Sequence, residues 1–266
     1  MTGKNLMAFV AILGFEELVF FNILKYTMIG IGVLVFISLL FVKAGYGRYT
    51  NKKWGPHIDN RWGWVLMECV PPILFLIFFL LGITHTNIAL IVFLLIWEIH
   101  YVQRAFVYPF LIRGKKQIPL AIVGMGLIFN GLNSYIQGRY LFSLHSNYGA
   151  KWLTTPAFLI GTTIWLTGYI INLSADRTLR HLRALGETGY KIPRGGLFKY
   201  ISCPNYFGEI LEWIGWAILT WSLAGFVFAL WTVANLAPRA RSHHKWYRSH
   251  FSDYPQKRKA LIPFLI

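Results

Sequence analysis

Long apolar runs recur along the chain, and they constrain its fold more than any other feature of the sequence. A helix that crosses a membrane needs about 20 predominantly apolar residues. Hydrophobic residues make up 56% of the 266 residues and charged residues only 14%, a composition typical of membrane proteins. The sequence therefore predicts an all-α polytopic membrane protein, in which residues 1–266 form a single integral-membrane domain.

Seven transmembrane helices account for these runs. The first run, 7–43, is longer than one span, so it is either one long or bent helix or an interfacial segment followed by a span. The last run, 205–237, is long enough for two helices, with a turn expected at Ser222–Gly225. Between these runs, helices are expected at 62–81, 86–112, 118–142 and 152–173.

Basic residues predict how these helices cross the membrane. Loops on the cytoplasmic side of membrane proteins carry an excess of Lys and Arg. Most of the 26 Lys and Arg residues of this chain fall after the first, third and fifth helices and in the C-terminal tail. We therefore expect the N-terminus outside and the C-terminus in the cytosol.

The net charge of +16 invites a nucleic-acid-binding interpretation, but the basic residues are spread over several loops. Membrane topology, anionic lipid and a phosphate-bearing ligand explain this distribution better. The two cysteines, Cys69 and Cys203, have neither a CxxC spacing nor a metal-site spacing, and we expect free thiols.

Ionisable residues inside the predicted spans mark candidate functional positions, because such residues are costly in a membrane. Glu68 lies in the middle of the second span. In the third span, Glu98, Tyr101, Arg104 and Tyr108 follow one another at helical spacings, so this polar face is expected to look into the helix bundle. A structural salt bridge between the Glu98 and Arg104 side chains is the alternative interpretation.

A polar face at the cytosolic end of the fifth helix is a candidate binding surface. Asn172, Asp176, Arg180 and Arg183 follow at spacings of four, four and three. An aspartate accepts hydrogen bonds from ribose or amide groups, and arginines clamp phosphates bidentately. A solvated charged face is the alternative.

The segment Tyr190–Trp216 joins a basic loop to an apolar helix and is dense in chemically capable side chains. Pro193–Gly196 is expected to form a tight turn. Asn205, Glu209 and Glu212 lie on one face of the helix that follows. The helix dipole also explains carboxylates near a helix N-terminus.

Basic and aromatic side chains recur at helical spacing past the last span, at Arg239, His243, His244 and Tyr247. Together with His250, the two histidines invite a metal-site interpretation. No third ligand follows a metal-site spacing, so we expect no metal and an interfacial or phosphate-facing role. The sequence contains neither a P-loop nor a GxGxxG segment after a strand.

Many of these residues belong to a connected series of segments that resembles the steroid 5-alpha-reductase family over about residues 45–266. The matching segments are Gly45-Tyr46-Gly47, Glu68, His100-Tyr101-x-x-Arg104-x-Phe106-Val107-Tyr108, Gln137-Gly138, Asn172-x-x-x-Asp176, Leu179-Arg180-x-Leu182-Arg183, Gly189–Pro193, Gly195–Phe198, Pro204-Asn205-Tyr206-x-Gly208-Glu209-Ile210-x-Glu212–Gly215, Asp253–Pro255 and Arg258–Phe264. Few of these segments are convincing alone, but the connected series is highly specific.

The resemblance implies a seven-helix membrane enzyme that uses NADPH to reduce the carbon 4–5 double bond of 3-oxo-4-ene steroids. It also implies that Tyr101 is the acid that meets the 3-oxo group while hydride reaches the β carbon, and that Glu68 is its catalytic partner. The NADPH-binding residues implied by the resemblance are Arg104, Lys115, Asn172, Asp176, Arg180, Arg183, Tyr190, Asn205, Glu209, Arg239, His243 and Tyr247.

The same resemblance implies a steroid substrate and membrane lipid as partners, and no nucleic acid or obligate protein partner. The protein is expected to be multi-pass in a bacterial inner membrane or the endoplasmic reticulum, with its cofactor side in the cytosol.

Three departures from the family pattern leave the substrate open. Met67 stands where glutamine is expected in the steroid enzymes, Glu98 adds a carboxylate, and Lys191 replaces a common arginine. The nearest alternative is another enone or enoyl reductase of the same superfamily, acting on enoyl-CoA or a polyprenol. An isoprenylcysteine-type methyltransferase and a transporter are more distant alternatives.

Overall fold

The fold is a bundle of helices, as the apolar runs predict. The computed structural model describes residues 16–43, 45, 47–49, 54–82, 86–113, 117–145, 147–182, 187 and 189–265. Its α-helices are α1 (Glu17–Phe41), α2 (Asn60–Glu68), α3 (Val70–Leu80), α4 (Ile88–Val102), α5 (Tyr108–Leu111), α6 (Leu120–Arg139), α7 (Pro156–His181), α8 (Pro204–Thr220) and α9 (Leu223–His250). The predicted cofactor residues Lys115 and Arg183, and the start of the first apolar run, lie outside the described residues.

Six helical segments in the described part of the chain are long and apolar enough to cross a membrane. They are Glu17–Phe41, Asn60–Leu80, Ile88–Leu111, Leu120–Leu144, Pro156–His181 and Leu223–His250. The polytopic membrane character is therefore confirmed. α8 has 17 residues and is not among the six, so the seventh span stays a prediction.

The predicted turn in the last apolar run is close to the observed one. The chain reverses at Trp221 and Ser222, and Trp221 takes a left-handed conformation with φ of 43°. Helices α7 and α9 continue to His181 and His250, beyond the predicted span ends at 173 and 237. The polar residues past those ends therefore sit on helices, as their spacing predicts.

Two short strands are an exception to the all-α prediction. β1 (His57–Asp59) pairs antiparallel with β2 (Gln117–Pro119), with His57 opposite Pro119. This pairing joins the loop after the first predicted span to the loop after the third. Backbone groups in these loops thus find partners outside a helix.

Prolines cause the break between α2 and α3. Pro71 lacks the backbone N–H that would otherwise bond the Met67 carbonyl, four residues earlier. The Asn130 side chain of α6 donates to that carbonyl instead, over 2.7 Å. A polar group freed by a proline inside an apolar helix is thereby satisfied, and Glu68 is held at the end of α2.

Helices α7 and α8 pack at backbone contact through glycines spaced by seven residues on each helix, Gly161 and Gly168 on α7 and Gly208 and Gly215 on α8. A Cβ at Gly168 would lie 2.5 Å from the Gly208 carbonyl oxygen. A Cβ at Gly208 would lie 2.6 Å from the Gly168 carbonyl oxygen. Small residues allow helix backbones to approach closely in membranes, so this contact sets the spacing between the two helices.

An aromatic core fills the space between α3, α4, α8 and α9. Phe75 stacks on Trp97 with 4.4 Å between ring centroids, and Trp213 packs on Phe228 at 4.1 Å. Buried rings dominate packing energy because of their large area. At the other side of the bundle, the Trp231 indole donates to the Met28 carbonyl over 2.6 Å and so attaches α1 to α9.

The glycine contact predicts a large stability difference between two alanine substitutions. Gly168→Ala would push a methyl group into the α8 backbone, and overpacking of this kind typically costs about 1–3 kcal/mol. Gly131→Ala is the matched control, because a Cβ there meets no atom within 4 Å. We expect Gly168→Ala to lower the melting temperature of the detergent-solubilised protein and Gly131→Ala to leave it unchanged or raise it slightly. Equal melting temperatures for the two variants would contradict the packing argument.

Candidate functional site

The basic loops converge at one end of the bundle. Arg48, from the loop after α1, lies over the rings of Tyr190, Trp246 and Tyr247 at 4.8, 4.3 and 4.6 Å. The β1–β2 pairing brings the loop before α6 to the same loop after α1. The segments that the charge pattern predicts on one side of the membrane are thus in contact with one another.

Arg104 is the central cation of the interior site. It lies in a π-helical turn, Gln103–Val107, that follows α4, and such turns are frequent at functional sites. Its guanidinium is 3.2 Å from the Asp176 carboxylate and 3.7 Å from the Glu209 carboxylate. The rings of Trp64 and Tyr108 lie 4.7 and 4.5 Å from it. Two predicted cofactor residues, Asp176 and Glu209, are therefore held by a third, Arg104.

The alternative prediction of a Glu98–Arg104 salt bridge is wrong. Arg104 turns to the carboxylates of α7 and α8 instead. The Glu98 Oε1 atom is buried and, within the described residues, has no hydrogen-bond partner. Helical spacing predicts which side chains share a face, but other helices offer Arg104 acidic partners that spacing does not reveal.

The α7–α8 contact brings further predicted residues together. The Asn172 side chain donates to the Asn205 backbone carbonyl over 3.0 Å and to Glu209 Oε2 over 3.5 Å. The Asn205 side chain lies near the Asp176 carboxylate. Asn172 and Asp176 are both buried, so the solvated-face alternative fails for these two residues.

Glu68 lies at the edge of this polar cluster. It is within electrostatic range of Arg104, Glu209 and His100, and the Asn130 side chain lies nearby. The end of α2 thus adds a carboxylate to this polar cluster, where electrostatic interactions are strong.

Tyr101 is buried in the aromatic core beside the polar cluster. Its ring packs against Trp97 at 4.7 Å and Trp213 at 5.6 Å. It lies within electrostatic range of Glu68 and Glu209. The structure therefore brings the two predicted catalytic residues, Glu68 and Tyr101, into one site with Arg104.

A second group of predicted residues surrounds the N-terminal turn of α8. Arg239 donates to the Tyr206 hydroxyl over 2.8 Å, and that hydroxyl is 3.3 Å from His243 Nε2. Tyr49 stacks on the His243 ring at 5.6 Å. Tyr206 is adjacent in sequence to Asn205, so this group continues directly from the interior cluster.

Arg48 is a member of this second group that the sequence analysis did not select. Besides contacting three rings, it donates to the Tyr247 hydroxyl over 3.3 Å. The sequence feature that could have identified Arg48 is its position directly after the Gly45-Tyr46-Gly47 segment, which belongs to the family resemblance. In the sequence it could not be told from the other basic loop residues, because its aromatic partners come from distant segments.

The backbone bends at Gly195, within the predicted Pro193–Gly196 turn. Gly195 and Gly196 have φ of 87° and 47°, a region that residues with a side chain rarely adopt. The turn precedes Ile201, which bridges to Lys259, and so joins the loop to the C-terminal tail.

The three histidines of the metal-site alternative have separate partners. His243 faces Tyr206, His244 lies 2.7 Å from the Ser202 hydroxyl, and His250 stacks on Trp246. Among the residues that the structure describes, no three His, Cys, Asp or Glu side chains form a group that could hold a metal. Both cysteines are free thiols, as predicted, and burial raises the pKa of the Cys203 thiol to about 12.

Unsatisfied donors at this end of the bundle fit a phosphate-bearing cofactor. Arg48 Nη1 and Arg180 Nη1 are buried and lack hydrogen-bond partners in the described part of the chain, as does His243 Nδ1. Buried donors without partners are costly, and phosphate oxygens would satisfy them. Arg180 lies 6.0 Å from the Tyr108 ring and so links these donors to the Arg104 cluster.

Comparisons with known proteins give a consistent result. A family model described as 3-oxo-5-alpha-steroid 4-dehydrogenase matches residues 116–266. "3-oxo-5-alpha-steroid 4-dehydrogenase 1" of Mus musculus is 44% identical over 94% of this chain and 99% of its own length. "Steroid 5-alpha-reductase DET2" of Arabidopsis thaliana is 40% identical over 92% of this chain and 97% of its own length.

Arg104 and Arg194 provide a matched test of the buried cluster. Arg104→Gln would leave Asp176 and Glu209 without their cation, and breaking a buried pair costs about 3–5 kcal/mol. Arg194 pairs with Asp253 over 3.0 Å on the surface, where a pair contributes about 0–1 kcal/mol. We expect Arg104→Gln to lower the melting temperature strongly and Arg194→Gln to leave it nearly unchanged. A similar, small shift for both would show that the interior carboxylates do not depend on Arg104.

Proposed function

Since this chain belongs to the 3-oxo-5-alpha-steroid 4-dehydrogenase family, we propose that it uses NADPH to reduce the carbon 4–5 double bond of 3-oxo-4-ene steroids. The observation that carries this proposal is that the buried Tyr101 lies within electrostatic range of both Glu68 and Arg104, beside the α7–α8 contact. The named relatives support steroid as the substrate class and oxidoreduction as the reaction.

Tyr101 and Glu68 have the chemistry to assist reduction of an enone. When hydride adds to the β carbon, negative charge develops on the carbonyl oxygen, and a proton donor must meet it. A phenol with an ordinary pKa of about 10 is protonated at neutral pH and is a suitable donor. Glu68 would orient that phenol or share the carbonyl. The surrounding rings of Trp97 and Trp213 exclude water.

The proposed cofactor-binding surface consists mainly of polar and charged residues along α7, α8 and α9. Bound NADPH would supply the hydride. Asn172, Asp176, Asn205 and Glu209 are polar residues that would hold its amide and ribose groups, next to Arg104. Arg180 and His243, with Arg48, would hold its phosphates, and Tyr190, Arg239 and Tyr247 line the same end of the bundle.

The seven-helix topology is part of this proposal. α8 would be the seventh span, in addition to the six candidate spans. It runs antiparallel to α7 and is joined directly to α9 by a turn. The basic loops would then face the cytosol, where NADPH is available, in a bacterial inner membrane or the endoplasmic reticulum.

One assay separates this function from its alternatives. Purified protein is incubated with NADPH and testosterone or progesterone, and the loss of NADPH and of the enone are followed together. Stoichiometric loss of both supports the proposal, and absence of NADPH binding would eliminate the reductase class. NADPH binding without steroid turnover would favour an enoyl-CoA or polyprenol reductase.

Tyr101→Phe and Glu68→Gln are each expected to lower kcat by about 100-fold or more, the size typical of a lost acid–base group. The NADPH dissociation constant should stay close to that of the wild type, because neither side chain is proposed to hold the cofactor. Tyr200→Phe, at an exposed tyrosine, is the control and should keep full activity. A near-normal rate for Tyr101→Phe would show that the acid is another residue.

Arg180→Gln is expected to weaken NADPH binding about tenfold or more, because a charge-assisted hydrogen bond contributes about 1.5–3 kcal/mol. Arg177→Gln is the matched control, since Arg177 lies on the same helix but is exposed. Titration calorimetry of the protein in nanodiscs measures both constants. An unchanged constant for Arg180→Gln, or an equal loss for Arg177→Gln, would argue against a phosphate contact at Arg180.

A further inference from the structure

Two contacts between polar side chains connect α4 and the π-helical turn that follows it to α8. His100 Nδ1 lies 2.5 Å from Glu212 Oε2, and Arg104 lies 3.7 Å from Glu209 Oε2. His100 and Arg104 are four residues apart, and Glu209 and Glu212 are three apart, so each pair of residues shares a helix face. The contacts therefore form two successive links between the same two helices.

Tyr101, the proposed proton donor, lies on the same helical segment, between His100 and Arg104 in the sequence. The His100 ring meets the Tyr101 ring edge-on at 4.9 Å and the Trp213 ring at 4.7 Å. Trp213, next to Glu212, also packs on Tyr101 at 5.6 Å. Movement at the His100–Glu212 link would therefore be transmitted to the Tyr101 ring through the rings of both His100 and Trp213.

Few other hydrogen-bond partners compete with the contact between His100 and Glu212. His100 is 4% exposed and Glu212 is fully buried, so water does not compete for the contact. Glu212 Oε1 has no hydrogen-bond partner among the described residues. His100 is thus the hydrogen-bond partner of a buried carboxyl group that would be costly to leave unpaired.

The proposed reaction assigns no role to this pair. The Arg104 link is explained by the carboxylates that would face the cofactor, but the His100–Glu212 link lies one turn away from it. A pair that served only to join the helices would be replaced by apolar packing at little cost to stability. Its placement beside Tyr101 calls for a further explanation.

We propose that His100 and Glu212 are positioning residues that fix Tyr101 relative to the cofactor-bearing helix α8. This inference rests on the proposed function, since it gives the pair its effect through the acid Tyr101. Misplacement of a catalytic group by up to 1 Å lowers a rate by as much as about 100-fold. The hydrogen bond, rather than the charge of either partner, carries the effect.

Two substitutions at His100 test whether the position of the hydrogen-bond donor matters, because both introduce the same amide group. His100→Asn keeps an amide donor close to the place of Nδ1, whereas His100→Gln extends its donor to the place of the other ring nitrogen. We expect His100→Gln to lower kcat about 10- to 100-fold and His100→Asn to restore much of that loss. Glu212→Gln keeps an acceptor for the imidazole N–H and should also retain most activity. The NADPH dissociation constant should change little in all three. The melting temperature of the ligand-free protein should fall in His100→Gln, which leaves the buried Glu212 unpaired, and change little in His100→Asn and Glu212→Gln.

A double-mutant cycle tests whether the effect passes through Tyr101. The measured quantity is the dissociation constant of a saturated 3-oxo steroid in the presence of NADP⁺, so no turnover is needed. We expect His100→Gln to weaken this binding in the wild-type background and to have no further effect in a Tyr101→Phe background. Independent effects that multiply in the double mutant would overturn the proposal, as would an equal loss for His100→Asn and His100→Gln.

Failure of this inference is distinct from failure of the proposed function. If the wild type binds NADPH without reducing steroid, the proposed function is wrong and the positioning role falls with it. If the wild type reduces steroid and His100→Gln keeps its rate, only the positioning role is wrong. If kcat, NADPH affinity and melting temperature fall together in His100→Asn, the pair is structural and the proposal is overturned.

Discussion

The backbone contact between α7 and α8 is the constraint on which the site depends. Glycines at Gly168 and Gly208 let the two helices meet with no side chain between them. One turn further along α7, Asn172 hydrogen-bonds the Asn205 backbone and Glu209. One turn beyond Asn172, Asp176 lies near the Asn205 side chain. Four polar residues from two separate segments become one surface because the helices are closer than ordinary side chains would allow.

Electrostatic balance is the second constraint. The interior site collects carboxylates from three helices, and Arg104 is the cation that Asp176 and Glu209 share. Unpaired charges are expensive away from water, so the position of Arg104 is tied to both α7 and α8. Glu212 avoids the same cost by pairing with His100. Tyr101, the proposed acid, thus lies in a helical segment that is linked to α8 at two successive points.

Prolines and irregular turns place the remaining groups. Pro71 breaks the second span directly after Glu68, and the Asn130 amide takes up the freed carbonyl of Met67. The π-helical turn at Gln103–Val107 places Arg104 beyond the regular part of α4. Both deviations occur where a polar side chain enters an apolar interior, and in both cases a neighbouring helix supplies the compensating hydrogen bond or charge.

The sequence by itself determined the membrane class, most helix positions and the turn before α9, because apolar periodicity is a local property. The candidate site residues came from residue chemistry together with the resemblance to a known family. Only the tertiary structure decided which residues pair. Spacing along α4 placed Glu98 and Arg104 on one face, yet Arg104 binds carboxylates from α7 and α8. The glycine spacing that joins α7 to α8, the aromatic contacts of Arg48 and the His100–Glu212 pair depend on segments far apart in the chain. Their partners are chosen by packing, which no local pattern encodes.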